Sequence, residues 1–420
     1  MMRAMFSGVS GSKAHQVRMD VIGNNIANIN TIGFKASRVT FHEVLCQTIK
    51  NGAAPVPGGR GGVNPMQVGL GTGVRSIDTF QTQGNLEPTD LPTDLAIEGA
   101  GFFVVSDGEK QYFTRDGAFK LDAASTLVNP STGYRVQGWV ADAAGRIDTT
   151  RPIQDIRIPL GEKMLAKATA NVKLRGNLDA GAVGNGAVSV PAEVFDSLGN
   201  AHDVKITFTK TSNSTPPPDY IANSWDLAIE IDGSAVIPTP SSLTFDTNGQ
   251  ITPGSITATF TFDPGGGAAP GQKITLDFST LTQYNTSSGS VVSMASQDGF
   301  PPGSLEDFSI ADNGLITGIY TNGQHQPLGQ IVLANFANPA GLERIGSNMY
   351  RSSDNSGAPL IGMATTEARG KIVEGSLEMS NVDLAREFTD MIITQRGFQA
   401  NSRIITTADE MLQDLLTLKR

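Results

Sequence analysis

One cysteine, four histidines and two tryptophans are all that this 420-residue chain offers to the commonest kinds of protein chemistry. Because Cys46 stands alone, no intramolecular disulfide can form and a cysteine-based zinc site is excluded. His15, His42, His202 and His325 show neither the HExxH nor the HxH spacing that sets two imidazoles on one metal. No histidine is placed to activate Cys46, so an inert thiol is the simpler reading. A GxSxG elbow and a GxxxxGK(S/T) loop are both absent, and "GLGTGV" lacks the strand-turn-helix setting of a phosphate cradle. Acidic residues are plentiful in stretches such as "DSLGN" and "SIADNG", where turn hydrogen bonds outweigh a glycosidase pair, and the EF-hand spacing with its closing Glu is missing. No enzyme, metal or cofactor is expected.

Positive charge is also scarce. Lys and Arg number 31 against 41 Asp and Glu, for a net charge of -10, and no segment clusters the bases that phosphate binding needs. A nucleic-acid partner is therefore set aside. No run of about 18 apolar residues occurs, so no membrane span is expected. "MMRAMFSGVSGSKAHQVRMD" carries basic residues without an unbroken apolar core, so no cleavable signal peptide is expected either. A role outside the cell would require an export route that reads no such signal.

What the chain has in quantity is turn-forming residues, 47 Gly and 22 Pro, beside 39% hydrophobic residues. That balance reads as mainly β, divided among two to four domains at this length. The central region alternates with period two. Val204, Ile206 and Phe208, then Leu227, Ile229 and Ile231, then Ile256, Ala258, Phe260 and Phe262 each mark a half-buried antiparallel strand. Hairpin signals fall at Asp107-Gly108, Asp116-Gly117, Asp232-Gly233, Asn248-Gly249, Asn313-Gly314 and Asn322-Gly323. A sandwich or barrel architecture follows. "NGAAPVPGGRGGVNPMQVGLGTGV" bends easily and has little to pack, and reads as an extended connection.

At both ends the period changes to that of a helix. Met5, Val9, Met19, Ile22, Ile26 and Ile29 lie on one stripe, broken by Ser12 and Gln16, in a helix expected to end near Gly33. Leu384, Phe388, Met391, Phe398, Ile405, Leu412 and Leu415 form the second stripe, broken by Gln395 and Ser402, with Ser380 or Asn381 as the expected N-cap. Each stripe is too long to be buried by a small β domain beyond a flexible connection, so the two terminal helices are expected to pair as a coiled coil. The first end is mostly basic, and the second has Asp383, Glu387, Asp390, Asp409, Glu410 and Asp414 among its charges, which favours that pairing weakly.

"DVIGNNIANINTIGFKA" places Gly23, Asn24, Asn25 and Asn28 in or beside the first stripe. Neither residue type helps an isolated helix, Gly costing about 1 kcal/mol relative to Ala. They suit a helix packed on several neighbours, where amides bond to adjacent copies and Gly23 admits another backbone. The ends are accordingly expected to be loosely ordered in the free chain and to fold on assembly.

"MDVIGNNIANINTIGFKAS" resembles the N-terminal motif of bacterial flagellar rod and hook proteins, and "GSLEMSNVDLAREFTDMIITQRGFQANSRIITTADEMLQDLLTL" resembles their C-terminal motif. "LAIEGAGFFVV" and "YFTRDGAFKLD" are similar to segments shared across that family. "FDSLGNAHDVKITFTK" and "QDGFPPGSLEDFSIADNGLITGIYTNGQHQPLGQIVLANFANPAGL" are similar to its hook members. The resemblance implies a self-polymerising subunit of a short curved tube, its terminal helices forming the inner wall around an export channel. It implies as partners further copies, the distal rod protein, the hook-filament junction protein, a hook cap during assembly and the flagellar type III export apparatus. The implied divisions are a helix over 1–45, a linker over 46–75, an inner β domain over 76–172 and 297–370, an inserted outer β domain over 173–296, and a helix over 371–420. A distal rod subunit and, more remotely, a secreted β-sandwich adhesin are the alternatives; rod proteins of the family generally lack the inserted domain.

Overall fold

The computed structural model describes residues 2–417 apart from 56, 58–60, 143–144, 183–186, 213–219 and 288. The chain is mainly β, with one long helix at each end and the two helices in contact. The first, α1, spans Met2–Ala27, and the second, α2, spans Leu384–Thr417.

Two helix boundaries differ from the sequence expectation. α1 stops at Ala27 rather than near Gly33, because Asn28 turns the chain with its backbone N–H shared between the carbonyls of Asn24 and Asn25, both at 3.2 Å. The Asn28 side chain adds a 2.8 Å bond to the Asn24 carbonyl. Gly33 ends the following turn instead. Its φ is +67°, and a β-carbon there would stand 2.7 Å from the backbone nitrogen of Asp116. At α2 the cap is Asp383, whose carboxylate accepts the N–H groups of Ala385 at 3.0 Å and Arg386 at 3.3 Å. Asn381 is held elsewhere, its side-chain Oδ1 accepting the Ala36 N–H at 2.8 Å.

The chain forms two compact units. The first comprises Met1–Pro159, Phe308–Gly318 and Gln326–Arg420, and the second Leu160–Asp307 and Ile319–His325. In the first unit, Phe102–Ser106 pairs with Gln111–Thr114 and with Arg135–Val140. Its apolar centre is aromatic: Phe113 meets Phe336 edge-on at 4.8 Å between ring centroids, and Phe102 meets the same ring at 5.9 Å. Two short ladders tie the tail of the chain to its early part. Lys371–Glu374 pairs with Leu95–Glu98, and Ser376–Glu378 pairs with Leu86–Pro88, immediately before α2 begins. The Gly-rich segment returns on itself as a two-stranded ribbon, Ser37–Glu43 against Thr72–Thr79 and Cys46–Lys50 against Met66–Gly69.

In the second unit, the alternation read from the sequence places Val204, Ile206, Phe208, Leu227, Ile229 and Ile231 in one buried cluster. That cluster also receives Leu174, Leu276 and Phe278 from a second sheet. One ladder is not antiparallel as expected: Asn171–Asp179 runs parallel to Gln272–Tyr284. The long stretch of chain between them builds the other sheet, which supplies the crossover a parallel pair requires. Asp232 and Gly233 take left-handed φ of 48° and 80°, as a tight hairpin demands. Asp116-Gly117 is different. Gly117 has no left-handed φ, and glycine is needed because a β-carbon would fall 1.6 Å from the Leu95 carbonyl oxygen.

Candidate assembly interface

The helices run antiparallel, and the face they share is made of small and polar residues. Gly8, Gly11 and Ala14 are buried on α1 at a spacing of three, which brings them to one side of the helix. A β-carbon on Gly11 would lie 2.7 Å from the Asn401 amide, and one on Gly8 would lie 3.1 Å from Ile405. From the other side, a β-carbon on Gly397 would meet the His15 ring at 2.7 Å. Farther along, Arg18 bonds Asp390 at 2.9 Å, half-buried on both sides. Glu387 lies close by, and burial raises its proton affinity while a hydrogen bond from Asn25 opposes the shift. Glycines on α1 let α2 come close, with Ile405 and Asn401 of α2 set against them.

Several large apolar side chains are left at the surface. Met2 and Phe6 of α1 are 62% and 60% exposed, and Phe388, Ile392 and Ile393 of α2 lie between 48% and 54%. Of the residues expected at the interface, Ile22 and Asn25 are buried, and Met5, Met19, Ile26, Asn28 and Ile29 are half-buried. Val9, Gly23 and Asn24 are exposed, and nothing stands within 4 Å of a β-carbon built on Gly23. On α2, Leu384, Phe388, Gln395 and Phe398 are exposed, Met391, Ile405 and Leu412 are half-buried, and the Leu415 side chain lies outside the described residues. The apolar stripe is thus divided: Ile22 is buried and Ile405 stands against Gly8, while Val9, Leu384, Phe388 and Phe398 are exposed. A groove of about 410 Å³ lies between α1 and the ribbon, lined by Val17, Val21, Asn24, Ile77 and Arg344 among others.

Asn25 has a specific task. Its amide donates to the Ser37 carbonyl at 2.7 Å and its oxygen accepts the Ser37 N–H at 3.0 Å, so one buried side chain fastens the first ribbon strand to α1. Below it sits a buried ionic centre. Glu378 accepts from Lys35 at 2.6 Å, from Arg115 at 3.1 Å and from the Gly84 N–H at 2.9 Å. Lys35 also donates to the Thr82 carbonyl at 2.8 Å, which Asn381 contacts as well at 3.1 Å. Burial lowers the Lys35 pKa from its ordinary value, and the Glu378 carboxylate works against that shift. Arg115 is lowered for the same reason and supported by the same partner. Removing one partner from such a group strands the others without solvation. Three stretches far apart in sequence thus meet at one carboxylate: the end of the α1 turn, the β body and the segment leading into α2.

Sequence reading by period did not find Lys35, Arg115 or Glu378, and it gave Asn381 the role of a helix cap rather than that of a link to Ala36 and Thr82. The available signal was a charge set inside an otherwise neutral, turn-rich motif, as in "TIGFKAS" and "GSLEMSN". No helix among the described residues is long and apolar enough to cross a membrane.

Four family profiles match successive parts of the chain. "Flagella basal body rod protein" covers residues 5–35 and "Flagellar hook protein FlgE/F/G D1 domain" covers 96–180. "Flagellar basal body protein FlaE D2 domain" covers 167–300 and "Flagellar basal body rod FlgEFG protein C-terminal" covers 373–418. The flagellar hook protein FlgE of Treponema pallidum is 40% identical, with all of both chains covered. That of Borreliella burgdorferi is 41% identical, again over all of both chains. The crystal structure of Helicobacter pylori flagellar hook protein FlgE2 is similar in fold, with a TM-score of 0.53 and 16% identity over 70% of this chain and 100% of that one. Full-length identity at this level, joined to helices at both ends of a β body, shows that the chain belongs to the flagellar hook protein family.

Proposed function

We propose that the chain is a structural subunit of the bacterial flagellar hook, polymerising helically into a curved, flexible tube that links rod to filament and transmits torque. The observation that carries this reading is the division of labour on the terminal helices. Small residues make the contact within one copy, while Phe6, Phe388, Ile392 and Ile393 stay uncovered. Large apolar surfaces in contact with water mark sites of association, and further copies of the same chain are the natural partner. The ribbon adds Leu45, Ile49 and Met66, each more than half exposed. A two-stranded ribbon is marginal unaided and suits a surface that acquires neighbours on assembly.

On this reading, residues 1–45 and 371–420 supply the axial core, its helices paired as a coiled coil around an export channel. Residues 46–75 are the connection, 76–172 with 297–370 the inner β domain, and 173–296 the inserted outer domain, with sheets packed as sandwiches. The exposed residues among Met5, Val9, Gly23, Asn24, Leu384, Phe388, Gln395 and Phe398 face adjacent copies. The distal rod protein, the hook-filament junction protein and the hook cap are the expected neighbours at the ends of the tube, and the type III apparatus is the expected export route. The role is mechanical, not catalytic.

The test is limited proteolysis with mass mapping on soluble chain and on concentrated protein, with electron microscopy of the latter. Tubes in which both ends gain protection support the proposal. A chain that never forms tubes, with its ends already protected, overturns it.

A further inference from the structure

We propose that His15 is an acid-sensitive latch on the helix pair: its uncharged ring fits the space between α1, α2 and the strand Ser37–Glu43, and a protonated ring does not. The ring lies against the backbone of α2, where a β-carbon on Gly397 would be 2.7 Å from Cε1 and Nε2 and 3.2 Å from Nδ1. The strand contributes Phe41, whose ring meets the imidazole edge-on at 5.4 Å between centroids. Nδ1 is buried and has no hydrogen-bond partner. None of these neighbours gives the buried Nδ1 an acceptor for the proton that a charged ring would carry there.

The charges nearby do not relieve it. On α1, Arg18 acts on the ring with like charge, and the Asp390 carboxylate of α2 is already engaged by Arg18 at 2.9 Å. Arg396, next to Gly397 in α2, is a further positive residue. The strand side presents the apolar Phe41. Burial first, and Arg18 second, place the His15 pKa below its ordinary value. The sign follows directly. A histidine that is harder to protonate when folded contributes full stability above its unfolded pKa of about 6.5, and that contribution is lost as pH falls below it. Acid therefore opens the pair where the His15 ring lies against Gly397, whatever the tube does.

The experiment is a proton NMR titration of His15 in the full soluble chain, its resonance assigned with His15→Gln. It is paired with amide hydrogen exchange across residues 390–401, corrected for intrinsic rates, from about pH 7.5 to about pH 5. The expected result is a His15 midpoint below the ordinary one and protection that falls by up to about tenfold per pH unit, with no such fall in His15→Gln. A midpoint at or above the ordinary value overturns the proposal, as does an equal fall in His15→Gln. Should His15→Gln loosen the pair even at neutral pH, the unsubstituted chain decides. Protection must then follow the ring's own titration, and a mismatch overturns the latch.

Discussion

The second unit and the helix pair of the first bury apolar surface in opposite ways. In the second unit, side chains from two sheets share one cluster, and Ile206, Phe208, Phe278 and Trp225 are fully buried. On the helices, glycine and alanine take the inner positions while Phe6 and Phe388 remain 60% and 48% exposed. The former has satisfied its apolar residues within one copy, and the latter has reserved them. A helix of 34 residues, about 51 Å long, gains little of its stability from propensity and depends on the faces it packs. The second unit thus covers its apolar core within one copy, and the helices leave theirs open to the neighbours proposed above.

The comparison breaks most severely at the buried charges joining the helices to the β body. Glu378→Ala leaves Lys35 and Arg115 without their counter-charge and is expected to cost about 3–5 kcal/mol of the first unit's stability, read by denaturant unfolding. Phe208→Ala is expected to cost about 3–5 kcal/mol in the second unit and to leave tube formation intact when the protein is folded. Gly11→Leu forces Asn401 away from the shared face, and overpacking of that kind costs about 1–3 kcal/mol, visible as lost helicity by circular dichroism. Phe388→Ala sharpens the contrast from the other side. Monomer stability should move by no more than about 0.5 kcal/mol, while the concentration needed for polymerisation rises.

Acid and base separate the two regions as well. His202 lies 2.6 Å from Asp232 and 3.5 Å from Asp196. Burial disfavours its charge, but the hydrogen bond to Asp232 and the nearby Asp196 carboxylate outweigh that, and the net shift is upward. A raised histidine contributes stability that is complete below the unfolded pKa of about 6.5 and is lost as pH rises through the folded value. The second unit should therefore weaken slightly on the alkaline side, where the His15 contribution to the helix pair is complete. Thermal unfolding of the whole chain at a series of pH values, compared with His202→Gln, checks the direction.

Period-two alternation named the inward residues of the strands at 201–212 and 220–231, because a half-buried strand writes its burial directly into every second residue. The terminal helices were legible in kind for the same reason, but their shared face was not. An apolar stripe reports which residues avoid water, not which neighbour covers them, and here the face within the copy is formed by Gly8, Gly11 and Ala14. Asn25 was singled out as unusual in a helix. Its bidentate grip on Ser37 needed the strand to be in place before it had meaning. Glu378 was invisible by period, because its partners lie 343 and 263 residues away.

The sequence by itself determined the mainly β body, the helix at each end, the tight turn at Asp232-Gly233 and, through its terminal motifs, the family. These depend on local spacing and on backbone conformations that particular residues favour, so a linear reading reaches them. Only the tertiary structure decided that glycines make the helix contact, that the Gly-rich segment folds back as a ribbon, and that Lys35, Arg115 and Glu378 meet in one buried centre. Each of these rests on which distant segment arrives opposite a residue, and that is settled by the packing of the whole chain rather than by any stretch of it.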